Sequence, residues 1–256
     1  MYNLIRNKME VRYYKTFSKS LQRDMEYKTY GNAGLGVLVF PSQNQRFYEW
    51  EDNGMIDVLA PMIETGQIHL VCCDSIDAET WSRKEGDYRE RIELHERWFD
   101  YIVSELIPEV RKGNEQFVVT GCSMGGYHAA NFFFRRPDLF NTLFSMSGLF
   151  YADYFFPGYN DELIYHNSPE AYLKNHNEPS LLLDTYRKKK IVLCCGQGQW
   201  EGITQASTGR LGEILDNKGI HAWVDIWGKD VFHDFVWWRK QVVYHFGKLL
   251  EQRIAA

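Results

Sequence analysis

Residues 116–136 read QFVVTGCSMGGYHAANFFFRR, and this segment is the most informative part of the sequence for the fold. The apolar and β-branched run at 117–120 predicts a short buried strand, and the Ala- and Phe-rich run that ends before Pro137 predicts a helix. Ser123 therefore lies on a tight strand-to-helix turn. The glycines two residues to either side, Gly121 and Gly125, remove Cβ atoms that would collide where strand and helix approach each other. Together with the strand, the helix and the extra Gly126, the pattern favours an exposed nucleophilic hydroxyl over a chance Gly-x-Ser-x-Gly match.

The length and charge of the chain exclude several classes of protein. Its 256 residues suffice for one large α/β domain, and because nothing marks a linker, residues 1–256 are expected to form a single domain. The net charge of −5 comes from interspersed acidic and basic residues, so no basic stripe suggests a nucleic-acid partner. No run approaches the ~18 apolar residues of a membrane span, and the start lacks the apolar core of a signal peptide. We expect a cytoplasmic protein that binds neither nucleic acid nor membrane.

The five cysteines lie in apolar runs, which is typical of small core residues in a reducing compartment. They are Cys72, Cys73, Cys122, Cys194 and Cys195. Their two adjacent pairs lack the x-x spacing of a zinc site, so neither a metal nor a cofactor is expected. Cys122 precedes Ser123 in the turn, and its side chain is expected to point elsewhere.

Along the rest of the chain, strands alternate with helices, which predicts a mostly parallel sheet with helices on both faces. Segments 10–14 and 22–30 alternate apolar and polar residues and predict an antiparallel hairpin before that sheet. Further strands are predicted at 36–40, 68–73, 142–146, 191–195 and 222–227, and helices at 51–65, 89–110, 211–218 and 236–253.

The segment 149–180 interrupts this alternation with aromatic residues set among Gly, Pro and Asn. Its length between core strands predicts a lid or pocket wall. The alternative is a surface insertion whose aromatic side chains only pack on the core.

A serine nucleophile needs a base, and the base needs a carboxylate that fixes its tautomer. In sheets that carry such a turn, the acid and then the histidine follow the serine, on loops at the carboxyl ends of later strands. His233 alone follows the last predicted strand and precedes the closing helix. Glu201 is the only carboxylate in the loop after 191–195. Asp230 and Asp234 flank His233 and remain alternatives, although residues so close in sequence more easily bond the local backbone.

An oxyanion formed at Ser123 needs backbone donors. The N–H of Met124, at the start of the helix, is one candidate, and the loop 41–44 offers a second through Ser42 or Gln43.

Three segments resemble the esterase group of α/β-hydrolases, which includes esterase D (S-formylglutathione hydrolase), feruloyl esterases, enterochelin esterases and bacterial mycolyltransferases. They are FPSQNQRFYEWED at 40–52, GCSMGG at 121–126 and VFHDFVWWR at 231–239, and the resemblance covers nearly the whole chain. It implies an α/β-hydrolase fold with Ser123 as nucleophile and His233 as base. The chain departs from this group twice: Pro41-Ser42-Gln43 replaces the usual His-Gly, and Glu201 is the first carboxylate where an Asp is usual.

The function expected from these residues is hydrolysis of a small-molecule carboxylic or thio ester through an acyl-enzyme. Acyl transfer to another acceptor is an alternative on the same fold. A catalytically silent binding protein is another, which the Ser123 and His233 pair disfavours. Nothing in the sequence indicates an oligomeric state.

Overall fold

A computed structural model describes residues 9–177 and 180–254, and their central feature is an eight-stranded sheet. The sheet order is β1-β2-β4-β3-β5-β6-β7-β8. The β1–β2 and β2–β4 pairs are antiparallel and all other pairs are parallel, as predicted. The strands are β1 (Val11–Ser18), β2 (Arg23–Tyr30), β3 (Leu35–Phe40), β4 (Ile68–Cys73), β5 (Phe117–Cys122), β6 (Phe140–Met146), β7 (Lys190–Cys195) and β8 (Trp223–Ile226).

Helices cover both faces of this sheet because successive strand residues point to opposite sides. Val119 packs with Trp98 and Phe132 on one face, whereas Val118 packs with Leu59 and Val242 on the other. The helices are α1 (Glu49–Asp52), α2 (Met55–Glu64), α3 (Tyr88–Tyr101), α4 (Ile107–Val110), α5 (Met124–Arg135), α6 (Glu162–His166), α7 (Pro169–Asn175), α8 (Leu181–Arg187), α9 (Gly202–Asn217) and α10 (Phe235–Ile254). No helix of the described ranges is both long enough and apolar enough to cross a membrane.

Three predicted helices differ from the observed ones. The helix expected at 51–65 is broken into α1 and α2, because Gly54 adopts a left-handed φ of 70°. The helix expected at 89–110 contains a π-helical turn, Ile102–Leu106, between α3 and α4. The helix expected at 211–218 begins much earlier, at Gly202, where glycines at 202 and 209 weaken the local helical signal.

Part of the segment 149–180 packs on the core, and its residues 178–179 lie outside the described ranges. Phe150 and Phe156 are fully buried, and the Tyr127 hydroxyl donates to the Asn167 carbonyl at 2.6 Å. Phe156 also belongs to a cluster that includes Met124, the residue after Ser123. The segment therefore borders the strand-to-helix turn, and it contributes Phe150 and Phe156 to the packed interior.

Candidate active site

Ser123 lies on the tight turn between β5 and α5. Its backbone has φ of 56° and ψ of −119°, a combination that residues with a Cβ rarely adopt and that costs about 1–3 kcal/mol. Two hydrogen bonds hold the turn: the Ser123 N–H donates to the Met146 carbonyl at 2.8 Å, and the Ser123 carbonyl accepts from the Tyr127 N–H at 3.1 Å. The sheet thus fixes a half-buried serine at the carboxyl end of a central strand.

The glycines around Ser123 are required by close backbone packing. A Cβ on Gly125 would lie 2.3 Å from the carbonyl oxygen of Phe40 and 2.7 Å from that of Pro41. A Cβ on Gly121 would lie 2.4 Å from the carbonyl carbon of Gly125. These contacts leave room for hydrogen only, and they bring the end of β3 against the turn.

Glu201 and His233 come from neighbouring loops and contact each other. Nδ1 of His233 lies 3.3 Å from Oε2 of Glu201. Glu201 follows β7 and is fully buried, and His233 lies between β8 and α10. The His233 N–H donates to the Gln199 carbonyl at 3.0 Å, so the two loops are also joined through the backbone. The structure therefore brings together two residues that the sequence places on separate loops.

The Glu201 carboxylate is surrounded by donors. The Ser147 hydroxyl donates to Oε1 at 2.6 Å and the Gly196 N–H at 3.4 Å, while the Thr204 hydroxyl donates to Oε2. Burial alone would raise the pKa of Glu201, but hydrogen bonds from His233, Ser147 and Thr204 outweigh it and lower the pKa. The carboxylate is consequently ionised at neutral pH although it is removed from water.

Two residues that the sequence analysis missed, Ser147 and Trp238, complete this network. Ser147 has a left-handed φ of 52°, and its N–H donates to the Cys194 carbonyl at 2.7 Å. Nε1 of Trp238 donates to the Ser147 hydroxyl at 3.1 Å. The Trp238 ring also packs edge to face on His233, with centroids 4.8 Å apart. Two sequence features could have identified them: Ser147 directly follows the strand beside β5, and Trp238 comes soon after His233.

The alternative acids lie apart from the imidazole. Asp230 and Asp234 are both exposed, and neither forms a hydrogen bond with the His233 ring within residues 9–177 and 180–254. Oδ1 of Asp234 accepts from the Val236 N–H at 2.8 Å, which caps the start of α10.

The backbone donors near Ser123 are distributed differently from the prediction. Met124 begins α5, so its N–H has no partner within the helix. The Ser42 N–H donates to Glu49 at 2.7 Å, and its hydroxyl also bonds that carboxylate. Ser42 is therefore not a free donor, because the buried Glu49 side chain holds it. The Gln43 side chain donates to the Ser82 hydroxyl at 2.7 Å, and the backbone N–H of Gln43 remains a candidate donor in this loop.

The Cys122 side chain points into the core, as expected. It is fully buried, and burial raises the pKa of its thiol well above the usual range. The other reactive group beside the turn, His128, is buried within α5, where Nε2 lies 2.9 Å from Oδ1 of Asp77. Neither side chain is exposed beside Ser123.

Comparisons with known proteins agree with this architecture. The sequence model of the family described as "Putative esterase" matches residues 18–249. No curated protein matches the chain in sequence. A solved ferulic acid esterase is 18% identical with a TM-score of 0.72, over 93% of this chain and 96% of that one. An S-formylglutathione hydrolase from Agrobacterium tumefaciens is 13% identical with a TM-score of 0.73, over 95% of each chain. FphF, a fluorophosphonate-binding serine hydrolase of Staphylococcus aureus, is 14% identical with a TM-score of 0.66, over 95% of this chain and 99% of that one. At these identities the three structures show a shared fold.

Proposed function

This chain belongs to the esterase family whose sequence model matches residues 18–249, and we propose that it cleaves carboxylic or thio esters through an acyl-enzyme formed on Ser123. Its activity class is ester hydrolysis by a serine hydrolase on the α/β-hydrolase fold. In this proposal His233 is the general base and Glu201 orients it. The substrate is a small-molecule ester.

One observation carries the assignment of residues. Three hydrogen bonds and one peptide bond connect the turn to the imidazole: the backbone N–H of Ser123 donates to the carbonyl of Met146, and the hydroxyl of the next residue, Ser147, donates to Glu201, which faces His233. The carboxyl ends of β5, β6 and β7 lie side by side, so the series runs along one edge of the sheet. A buried, ionised carboxylate against an imidazole is the arrangement that fixes its tautomer for proton transfer.

The reaction then follows from the chemistry of these groups. Oγ of Ser123 attacks the carbonyl carbon, and its proton passes to Nε2 of His233 while Nδ1–H stays on Glu201. When the tetrahedral intermediate collapses, His233 gives that proton to the departing alcohol or thiol. Water attacks the acyl-enzyme in the same way, releases the acid and restores Ser123.

The oxyanion would be stabilised by the N–H of Met124 and by the backbone N–H of Gln43. Each such donor is worth roughly 3–4 kcal/mol of transition-state stabilisation. The contact between Gly125 and the Phe40 and Pro41 carbonyls supports this placement, because it brings the start of the 41–44 loop to the turn.

We propose that residues 149–180 wall the acyl or alcohol pocket within a single domain. Support comes from the cluster that joins Phe156 and Met124, and from Tyr154, a residue that is 55% exposed. Tyr154→Ala should change the ratio of kcat/KM between short and long nitrophenyl esters at unchanged melting temperature. A uniform change across all esters would assign the segment to packing alone.

A cytoplasmic location is part of the proposal, and the thiols support it. All five cysteines are free and buried, as is usual where the compartment keeps thiols reduced. The interspersed charges and the net charge of −5 do not favour a nucleic-acid partner.

Labelling with a fluorophosphonate probe and mapping of the modified peptide test the central claim. We expect one labelled site at Ser123, lost in Ser123→Ala and retained in the matched control Ser104→Ala, whose serine is exposed on the π-helical turn. Labelling that persists in Ser123→Ala would refute the nucleophile. An unlabelled wild type without turnover of any ester would indicate the silent binding protein, and products that shift when alcohols are added would indicate acyl transfer.

A further inference from the structure

Three side chains with metal-binding atoms converge beneath the loops that carry Glu201 and His233. They are Cys194 of β7, Asp225 of β8 and His245 of α10, and their donor atoms all lie within 4.8 Å of one another. Cys194 and Asp225 are register partners on parallel strands, so their side chains leave the same face of the sheet. α10 covers that face and supplies the imidazole, so three separate elements meet at one point.

The imidazole of His245 is buried without adequate hydrogen bonds. It is fully inaccessible, and the rings of Phe144 and Trp223 lie 4.9 and 4.6 Å from its centroid. Nε2 lies 3.1 Å from Oδ2 of Asp225, its one polar contact, in poor alignment for a hydrogen bond, and Nδ1 has no partner among the described residues. A buried polar group left in this state costs about 1–3 kcal/mol and calls for a ligand or water.

A second polar side chain on α10 is also buried without hydrogen-bond partners among the described residues. Gln241 is fully buried, and neither its amide oxygen nor its nitrogen finds a partner within 9–177 and 180–254. It precedes His245 by one helical turn, so both residues lie on the same face of α10. An unsatisfied buried amide one helical turn from the incompletely satisfied imidazole of His245 is unusual in an apolar core.

We propose that Cys194, Asp225 and His245 bind one divalent transition-metal ion, for which Zn²⁺ is the best match. A thiolate with an imidazole and a carboxylate suits Zn²⁺ better than Mg²⁺ or Ca²⁺, which prefer oxygen ligands. Three protein ligands leave a fourth tetrahedral position, for the Gln241 amide oxygen or a water. Zinc bonds of 2.0–2.3 Å place the donors roughly 3.3–3.8 Å apart, so small side-chain rotations suffice.

Two of the ligands, the imidazole of His245 and the thiol of Cys194, are buried. A metal ion coordinates a neutral imidazole and a thiolate, so binding at this site would displace the proton of the thiol. Asp225 keeps about a quarter of its side chain exposed, which provides access for the ion.

A metal ion bound here would connect the three elements that position Glu201 and His233. β7 leads into the loop of Glu201, and β8 and α10 flank the loop of His233. The ion would thus act as a structural clamp, with a stability readout that does not depend on the proposed esterase activity. The expectation of no metal rested on the adjacent cysteine pairs, whereas these ligands come from elements far apart in sequence.

The test uses the untagged full chain, freed of metal by dialysis against a chelator and then titrated with Zn²⁺ or Co²⁺. We expect one equivalent of bound Zn²⁺ by elemental analysis, a melting temperature raised by several degrees, and a thiolate-to-cobalt charge-transfer band with Co²⁺. Cys194→Ala should abolish that band, and Asp225→Asn should weaken Co²⁺ binding at least tenfold. Cys195→Ala is the matched control, since its side chain leaves the opposite face of β7.

Two results would overturn the site. One is substoichiometric metal without a rise in melting temperature. The other is cobalt binding that is unchanged in both Cys194→Ala and Asp225→Asn, which would identify an adventitious ion only. If Cys194→Ala does not fold, Asp225→Asn decides the question, because Asp225 lies at the partly exposed sheet edge.

Discussion

The Ser147 hydroxyl lies 2.6 Å from Oε1 of Glu201, while the other oxygen of that carboxylate lies 3.3 Å from Nδ1 of His233. The two oxygens therefore have different partners: Oε1 accepts a hydrogen bond from Ser147, the residue after β6, and Oε2 faces the imidazole of His233. Rotation of the carboxylate would break both contacts at once. The acid is thus held by the sheet and not only by its own loop.

Replacing Glu201 with Gln should lower kcat by up to about 10⁴-fold, or ~5 kcal/mol, because an amide cannot hold the productive tautomer of His233. The fold should survive, since the amide keeps the shape of the side chain. Steady-state kinetics and thermal unfolding measure the two effects. Asp230→Asn, an exposed acid near His233, should leave kcat within twofold of the wild type. An active Glu201→Gln enzyme would remove Glu201 from the proposed mechanism.

Ser147→Ala should shift the acid limb of the pH profile of kcat/KM to higher pH. The Ser147 hydrogen bond favours the ionised carboxylate, so its loss raises the pKa of Glu201 and leaves more of it protonated at a given acidic pH. A hydrogen bond to a charged group is worth about 1.5–3 kcal/mol, or about 1–2 pH units, so the loss of activity, roughly 10- to 100-fold, should be confined to the acid limb. Ser145→Ala is the control, because that hydroxyl donates to the Gly126 carbonyl instead. If the acid limb does not move, Ser147 does not lower the pKa of Glu201, and its role is packing alone.

Gly125→Ala should destabilise the protein and abolish activity. Its Cβ would lie 2.3 Å from the Phe40 carbonyl oxygen. A backbone atom cannot rotate away as a side chain can, so the end of β3 must shift. Overpacking of this kind typically costs about 1–3 kcal/mol. The new methyl of Gly247→Ala in α10 would meet no described residue within 4 Å, so this variant should be more stable by about 0.5–1 kcal/mol. Denaturant unfolding of both variants measures the contrast, and equal stability would contradict the close approach.

In metal-free protein, stability should fall as the pH drops from about 6.5 to about 4. Burial lowers the pKa of His245 from 6.5 to about 4, so within this window the unfolded chain binds a proton that the native state excludes. The full effect is about 3 kcal/mol, because each tenfold difference in proton affinity between the two states is worth roughly 1.4 kcal/mol. His245→Gln should flatten this dependence in denaturant titrations at several pH values, whereas exposed His166→Gln should not. Identical slopes in all three proteins would exclude His245 as the source.

Local sequence patterns sufficed for the turn around Ser123 and for the strands, because continuous apolar runs bounded by Gly, Pro or polar residues mark buried parallel strands. Glu201 could be singled out because its loop offered no other carboxylate. The sequence analysis did not predict the start of α9, because Gly202 and Gly209 lower the helix propensity there. It did not predict the break at Gly54, because the apolar pattern continues across that residue.

The parts of the site that sequence could not predict depend on contacts between distant segments. The hydroxyl of Ser147 reaches Glu201, and the indole of Trp238 reaches Ser147, only after three strand ends and a helix are assembled. Ser42 was a reasonable donor from its position after β3. Its capture by Glu49 depends on the side chain of a residue on the following helix.

Because β8 lies at the edge of the sheet, it should unfold locally more easily than the central strands. Within the described part of the chain, β8 has four residues and pairs only with β7, whereas β5 lies between β3 and β6 in the middle of the sheet. Peripheral segments open with smaller free energies than central ones, so detachment of β8 would release the loop of His233 while the turn of Ser123 stays intact. On warming, catalysis should therefore fail before the sheet melts, and the amides of Trp223–Ile226 should exchange with solvent ahead of those of Phe117–Cys122.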